Sequence, residues 1–216
     1  MYFMGTSFYF VIGIPAILIA IVIHEFCHGF AAYLLGDDTA KNAGRLTLNP
    51  IAHIDLWGTI IIPLIMLFTS GAAFGWAKPV PYNPYNLKFP RFGPAIVALA
   101  GPVANLIIAI LSAIAFKLLT PYLNPTTNLL MIFLVNLVLL NLFLMIFNLI
   151  PIPPLDGSKV LFSILADVKY ANIKDFMERQ GPFLLLFLVI FDNFLNLGFF
   201  RFISRIIFGL FSILFA

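Results

Sequence analysis

Cysteine occurs once in the 216-residue chain, at Cys27, so no internal disulfide can form and nothing points to a scaffold built for an oxidising compartment. Charge is scarce as well. Asp, Glu, Lys and Arg make up 10% of the residues, where about a quarter is usual in a soluble domain, and they leave no polar shell large enough to cover the remainder in water. The net charge of +3 is small and dispersed, with no run of five Lys or Arg, which excludes a nucleic-acid-binding surface. The first 23 residues hold no Lys or Arg and the apolar stretch continues past residue 30, so a cleavable signal peptide is not expected. What fills the chain is hydrocarbon. Hydrophobic residues reach 62% and phenylalanine alone numbers 25, against about 45 to 50% apolar residues in ordinary globular domains. The expectation is a membrane protein in contact with lipid.

A helix that crosses a bilayer needs about 20 apolar residues. Four or five stretches qualify: 8–35, 56–73, 92–119, 129–150, and a final one from 182 onward that is interrupted by Asp192, Arg201 and Arg205. The last reads as one spanning helix followed by a shorter or interfacial one. No internal repeat or extramembrane domain is visible. The fold class expected is an all-α polytopic membrane protein, a bundle of about 4–6 transmembrane helices, forming a single domain over residues 1–216 with a core at about 8–157 and C-terminal helices at about 158–216.

Loop charge orients the bundle. If every stretch crosses fully, three cations (Lys41, Arg45, Lys117) face seven (Lys78, Lys88, Arg91, Lys159, Lys169, Lys174, Arg179). If 56–73 enters and leaves on one side, the loops at 36–53, 74–91 and 153–181 share a face and the division becomes nine to one. The second division fits the positive-inside rule, and Gly58, Pro63 and Ser70-Gly71 suit a re-entrant segment.

The most informative residues are His24-Glu25-Phe26-Cys27-His28. Positions i and i+4 share a helix face with Cβ atoms roughly 5 to 6 Å apart, close enough for two imidazoles to converge on one metal ion. Glu25 falls beside such an ion, where its carboxylate can serve as general base. H-E-x-x-H also arises by chance. Three ionisable groups inside an apolar run, however, each cost roughly 2.5 kcal/mol or more when charged at the bilayer centre, so the metal reading outweighs the accidental one. Two histidines leave a catalytic zinc one protein ligand short, and the candidate is Asp156. It follows the prolines at 151, 153 and 154, which stop the preceding helix, and precedes Gly157, which permits a sharp turn. Taken alone, Asp156 reads equally as a helix N-cap or a solvated loop acid.

Taken together, these residues resemble the site-2 proteases, intramembrane zinc metalloproteases. Three elements stand in that family's order: His24-Glu25-Phe26-Cys27-His28, Gly101-Pro-Val-Ala-Asn105, and Asn148 through Asp156-Gly157, matching N-x-x-P-x-x-x-x-D-G. Asn49-Pro50-Ile-Ala-His53-Ile-Asp55 matches a further element found in the small group without PDZ or CBS domains. The resemblance implies one zinc per chain held by His24, His28 and Asp156, Glu25 as catalytic acid/base, and Asn148 as a polar active-site residue, with Asn105 implied more weakly. It also implies hydrolysis of a peptide bond in or near the transmembrane helix of a membrane-protein substrate, and the division of loop cations puts the site toward the basic, cytoplasmic face of the cell membrane.

Two other classes share intramembrane His and Asp: a zinc-dependent transporter or channel, and an inactive relative that only binds client helices. A Glu outside the coordination sphere argues against the first, and the intact set of ligands and base against the second. His53 is expected to be an ordinary hydrogen-bonded surface residue, with a pH-sensitive or supporting role as the alternative. Cys27 is expected to point away from the histidine face. The stretch 74–82 reads either as an edge for an unwound substrate or as an interfacial loop anchored by Trp76, Lys78 and Tyr82. The phenylalanine-rich tail is expected to face lipid.

Overall fold

Without water to satisfy backbone groups, a chain of this composition can cross hydrocarbon only as helices or a closed barrel, and this one uses helices. The computed structural model describes residues 3–62, 64, 65, 75, 77–192 and 195–216, with residues 3–11, 60, 168 and 190 described in backbone only. The helices are α1 (Phe3–Leu34), α2 (Thr39–Asn42), α3 (Gly93–Leu119), α4 (Leu129–Asn148), α5 (Asp156–Ile164), α6 (Ala171–Phe191) and α7 (Phe199–Phe215). Among the described residues there is no strand, and three stretches are long and apolar enough to cross a membrane: Ile12–Leu34, Gly93–Leu119 and Leu129–Asn148. This is an all-α polytopic membrane protein. The segment 56–73 begins with a π-helical turn, Leu56–Ile61, and its greater part lies outside the described residues, as does Trp76.

Helix α3 is the centre of the bundle. It packs on α1, α4 and α5, and α1 also packs on α4. Its polar contacts set the register: Val97 meets His28, Gly101 abuts both His24 and His28, and Asn105 meets Ala20 and His24, so α1 descends in number as α3 rises. The two helices are antiparallel. Asn105 also meets Asn141 of α4, while Leu99 and Leu149 line one recess, so α3 and α4 are antiparallel too. Helices α1 and α4 therefore run the same way. That brings the C-terminal half of α1 and the end of α4 to one level.

The core joins α3, α4, α6 and α7 through Ala109, Ala113, Val138, Leu142, Leu185 and Ile203. The tail is not simply lipid-facing, as the sequence suggested. Phe199, Phe200, Phe211 and Phe215 pack against this core, while Phe202 and Phe208 on the same helix are exposed. An amphipathic helix with apolar residues on both faces buries one of them, and composition alone does not say which. Asp192 marks the break before α7, where its carboxylate accepts from the backbone N–H groups of Phe199 at 2.7 Å and Phe200 at 3.2 Å. A negative group at a helix N-terminus satisfies otherwise orphaned donors and meets the positive end of the dipole.

Beyond α1 the chain folds back onto its own end. Asp37, fully buried, accepts from the Thr39 hydroxyl, the Asn83 backbone N–H and the Asn86 amide, and the Lys88 N–H donates to Leu35 O. These bonds fasten residues 83–88 to the turn that ends α1. His53 is buried at 2% exposure, not at the surface. Its Nε2 pairs with Thr47 O at 2.8 Å because the short turn Pro50–His53 tucks the ring under the 45–53 loop.

Candidate metal centre

His24 and His28 each have a tautomer fixed by what lies behind them. The Nδ1 of His28 is 2.7 Å from Val97 O, a carbonyl that can only accept, so Nδ1 carries the proton. The Nδ1 of His24 faces the Asn105 side-chain oxygen. That amide's orientation is set in turn: Asn105 Nδ2 donates to Ala20 O at 3.2 Å and to Asn141 Oδ1 at 2.7 Å, and Asn141 Nδ2 donates to Leu137 O at 2.7 Å. A backbone carbonyl at each end leaves one way to satisfy the chain of donors. Asn105 and Asn141 are both fully buried, so each donor and acceptor must be matched from within the protein.

Both Nε2 atoms of neutral imidazoles are then bare lone pairs, and they face each other at 3.0 Å. Asp156 adds a third acceptor, its Oδ2 lying 3.2 Å from each Nε2 and buried without a hydrogen-bond partner among the described residues. With both imidazoles neutral these are three acceptors with no donor among them, an arrangement that a shared cation completes. Ligands at roughly 2.0 to 2.1 Å in a tetrahedral shell lie about 3.3 Å apart, close to the observed triangle. The donor set, two imidazoles and one carboxylate, is the kind that zinc takes in catalytic sites with a fourth position open. The residues present fit the metal.

Two glycines permit this approach. A Cβ on Gly101 would stand 2.6 Å from the Cε1 atoms of both His24 and His28, so the imidazoles pack where a side chain would be. A Cβ on Gly157 would run into the Leu149 carbonyl, so α5 can begin against the end of α4 and deliver Asp156 inward. Asp156 is the first residue of α5, and the N-cap before it is Leu155, which has no side-chain acceptor.

The remaining candidates are placed as follows. Glu25 is half-buried and outside the three-acceptor cluster, its Oε2 accepting from the Val80 backbone N–H at 3.0 Å. Asn148, also half-buried, turns its amide back to Leu144 O at 3.0 Å. Asn105 supports His24 and has both amide hydrogens engaged. Cys27 is half-buried and absent from the cluster. Sequence reasoning missed Asn141. An Asn in the middle of an apolar helix was the available signal, but Asn136 carries the same one and only bonds back to Ile132 O within its own helix.

An H-E-x-x-H helix and a carboxylate from a second helix, meeting at a cation-sized gap inside a helical membrane protein, are the parts of a membrane-embedded metalloprotease. The sequence profile of peptidase family M50 matches residues 12–123 and 123–190. A Bacillus subtilis (strain 168) protein named "Putative zinc metalloprotease YwhC" is 39% identical over 179 residues, covering 81% of this chain and 77% of its own. The Rip2 protein of Mycolicibacterium smegmatis (strain ATCC 700084 / mc(2)155), which carries the same description, is 27% identical over 192 residues, covering 89% of this chain and 71% of its own. No solved structure matches the chain. The chain belongs to peptidase family M50, the site-2 protease family. It is a zinc metalloprotease, and the transporter reading gives way to that.

Proposed function

We propose that the protein hydrolyses a peptide bond in or beside the transmembrane helix of another membrane protein, in the cell membrane and with its reacting groups toward the cytoplasm. One observation carries this reading. The three bare acceptors of His24, His28 and Asp156 converge within the C-terminal half of a membrane-compatible helix, at a depth where each polar group is costly without a role. The nine-to-one division of loop cations supports the cytoplasmic assignment.

In this reading His24, His28 and Asp156 hold one zinc per chain, and residues 1–216 work as one membrane-embedded domain. When bound, zinc supplies Lewis-acid polarisation of the scissile carbonyl and activation of water. Glu25 takes the proton of the attacking water and returns it to the leaving amine. Asn105 has no hydrogen to spare for substrate and acts through His24. Asn148 places one amide hydrogen on Leu144 O and offers the other to the substrate backbone or the developing oxyanion. A helical substrate hides its carbonyls in i to i+4 bonds, so it unwinds locally before it is cut.

The test compares wild type with Glu25→Gln on a model transmembrane peptide while bound zinc is measured. Near-normal zinc with cleavage abolished is expected. Continued cleavage by the variant removes Glu25 from the mechanism.

A further inference from the structure

The carboxylate of Glu25 is held by a strap rather than by its own helix. Its Oε2 accepts the N–H of Val80 at 3.0 Å, and Val80 lies in the stretch 77–83, which forms neither helix nor strand. The local sequence is Lys78-Pro79-Val80-Pro81. Proline has no N–H, so between Lys78 and Tyr82 the strap possesses a single backbone donor, and that donor is on Glu25. The flanking rings also restrict the backbone, which keeps the donor aimed.

Three contacts fix the strap. The Lys78 N–H donates to His53 O at 3.0 Å. The Val80 side chain is buried against α1, its Cγ1 only 2.9 Å from where a Cβ on Gly29 would stand. Arg45 donates through Nη2 to Lys78 O at 2.6 Å and reaches Pro79 O at 3.5 Å. Arg45 is 8% exposed, no carboxylate lies within ion-pair distance among the described residues, and its Nε has no hydrogen-bond partner among them. Burying a guanidinium without a counter-charge is expensive, and a loop closure needs nothing more than a neutral donor. The carbonyls it grips belong to the two residues just before the donor on Glu25.

We propose that Arg45 is a positioning residue for Glu25: by clamping the carbonyls of Lys78 and Pro79 it holds the Val80 N–H on Oε2, which leaves Oε1 as the oxygen that handles the proton. This rests on Glu25 being the general base. The strap is thereby a working part of the reacting geometry and not a cover that must lift before cleavage.

The experiment uses the full, zinc-loaded chain reconstituted in bilayers with a model transmembrane peptide, and measures kcat, KM and bound zinc for Arg45→Gln, Arg45→Lys, Val80→Pro, Val80→Ala and Glu25→Gln. Val80→Pro is read against Val80→Ala: both trim the buried side chain, but only proline removes the N–H, so a loss shared equally by the two also overturns the proposal. Val80→Pro and Arg45→Gln are expected to lower kcat about tenfold to a hundredfold with zinc retained and KM little changed, as misplacement of a reacting group does. Arg45→Lys, which keeps a cationic donor, recovers most of the rate. If Arg45→Gln does not fold, Val80→Pro and Arg45→Lys carry the test. Unchanged or raised kcat in Val80→Pro overturns the proposal, as does a loss that follows lost zinc. Glu25→Gln separates the two readings: activity in that variant removes the general base itself, whereas an inactive Glu25→Gln beside a fully active Val80→Pro leaves the base in place and removes only the positioning role.

Discussion

The side-chain oxygen of Asn105 faces the Nδ1 proton of His24, and Asn105 is itself oriented by Ala20 O and by Asn141. A candidate metal ligand on α1 is thus aimed from α3, and its partner on α3 is oriented in turn from α4. Replacing Asn105 with Leu removes the acceptor that fixes the His24 tautomer. Zinc affinity is expected to fall about tenfold to a hundredfold, the usual scale for losing a group that orients a ligand. Asn141→Leu, one link further away, is expected to weaken zinc less. Titration against a competing chelator measures both, and equal affinity in all three proteins dismisses the relay.

Gly101→Ala is the smallest change that should empty the site. Alanine ordinarily favours a helix over glycine by about 0.5 to 1 kcal/mol, yet here its methyl group falls 2.6 Å from both imidazoles. Gly209→Ala is the control, because nothing lies within 4 Å of a Cβ there. Metal analysis of the purified variants is expected to show zinc lost from the first and kept by the second. A zinc-replete Gly101→Ala contradicts the packing described.

Chelation should loosen the bundle and not only inactivate it. His24 and His28 come from α1 and Asp156 from the start of α5, so an ion held by all three ties α1 to the α4–α5 junction. A ligand bound only by the folded state adds about 2.7 kcal/mol at a hundred times its Kd. Thermal unfolding in detergent is expected to shift down with chelator and to return with added zinc. An unfolding temperature indifferent to zinc counts against the site.

Acid sensitivity should centre on Asp37. Its burial alone pushes the carboxyl pKa up, but the hydrogen bonds from Thr39, Asn83 and Asn86 outweigh that and hold it below the ordinary value. A depressed folded pKa means that the stabilisation is complete above the unfolded value of about 3.9 and is lost as pH falls through the folded one. Asp37→Asn is expected to be less stable than wild type near neutrality and to show a smaller loss on acidification. Unfolding curves across that range check this, and parallel pH profiles for the two proteins refute it.

Much of the fold was legible before any coordinates. Helices at 8–35, 92–119 and 129–150 follow from apolar run length, and they correspond closely to α1, α3 and α4 because a bilayer allows few other shapes. The burial of His53 was not legible, since nothing in a loop sequence says whether the loop folds under itself. Neither was the packing of Phe199 and Phe211, since phenylalanine is equally at home against lipid and against a neighbouring helix. Arg45 read as one cation among those of a basic face, and only its place against the 78–80 carbonyls sets it apart.

By itself the sequence determined that the chain enters a membrane, and through i and i+4 spacing that His24 and His28 share a helix face. The tertiary structure decided that Asp156, a candidate from sequence that read equally as a cap or loop acid, lies 3.2 Å from both, that Asn105 lies behind His24, and that Val80 holds Glu25. Local spacing is a property of one helix and survives in one dimension. Convergence depends on the antiparallel register of α3 between α1 and α4, which arises from contacts between residues about 40 to 130 positions apart.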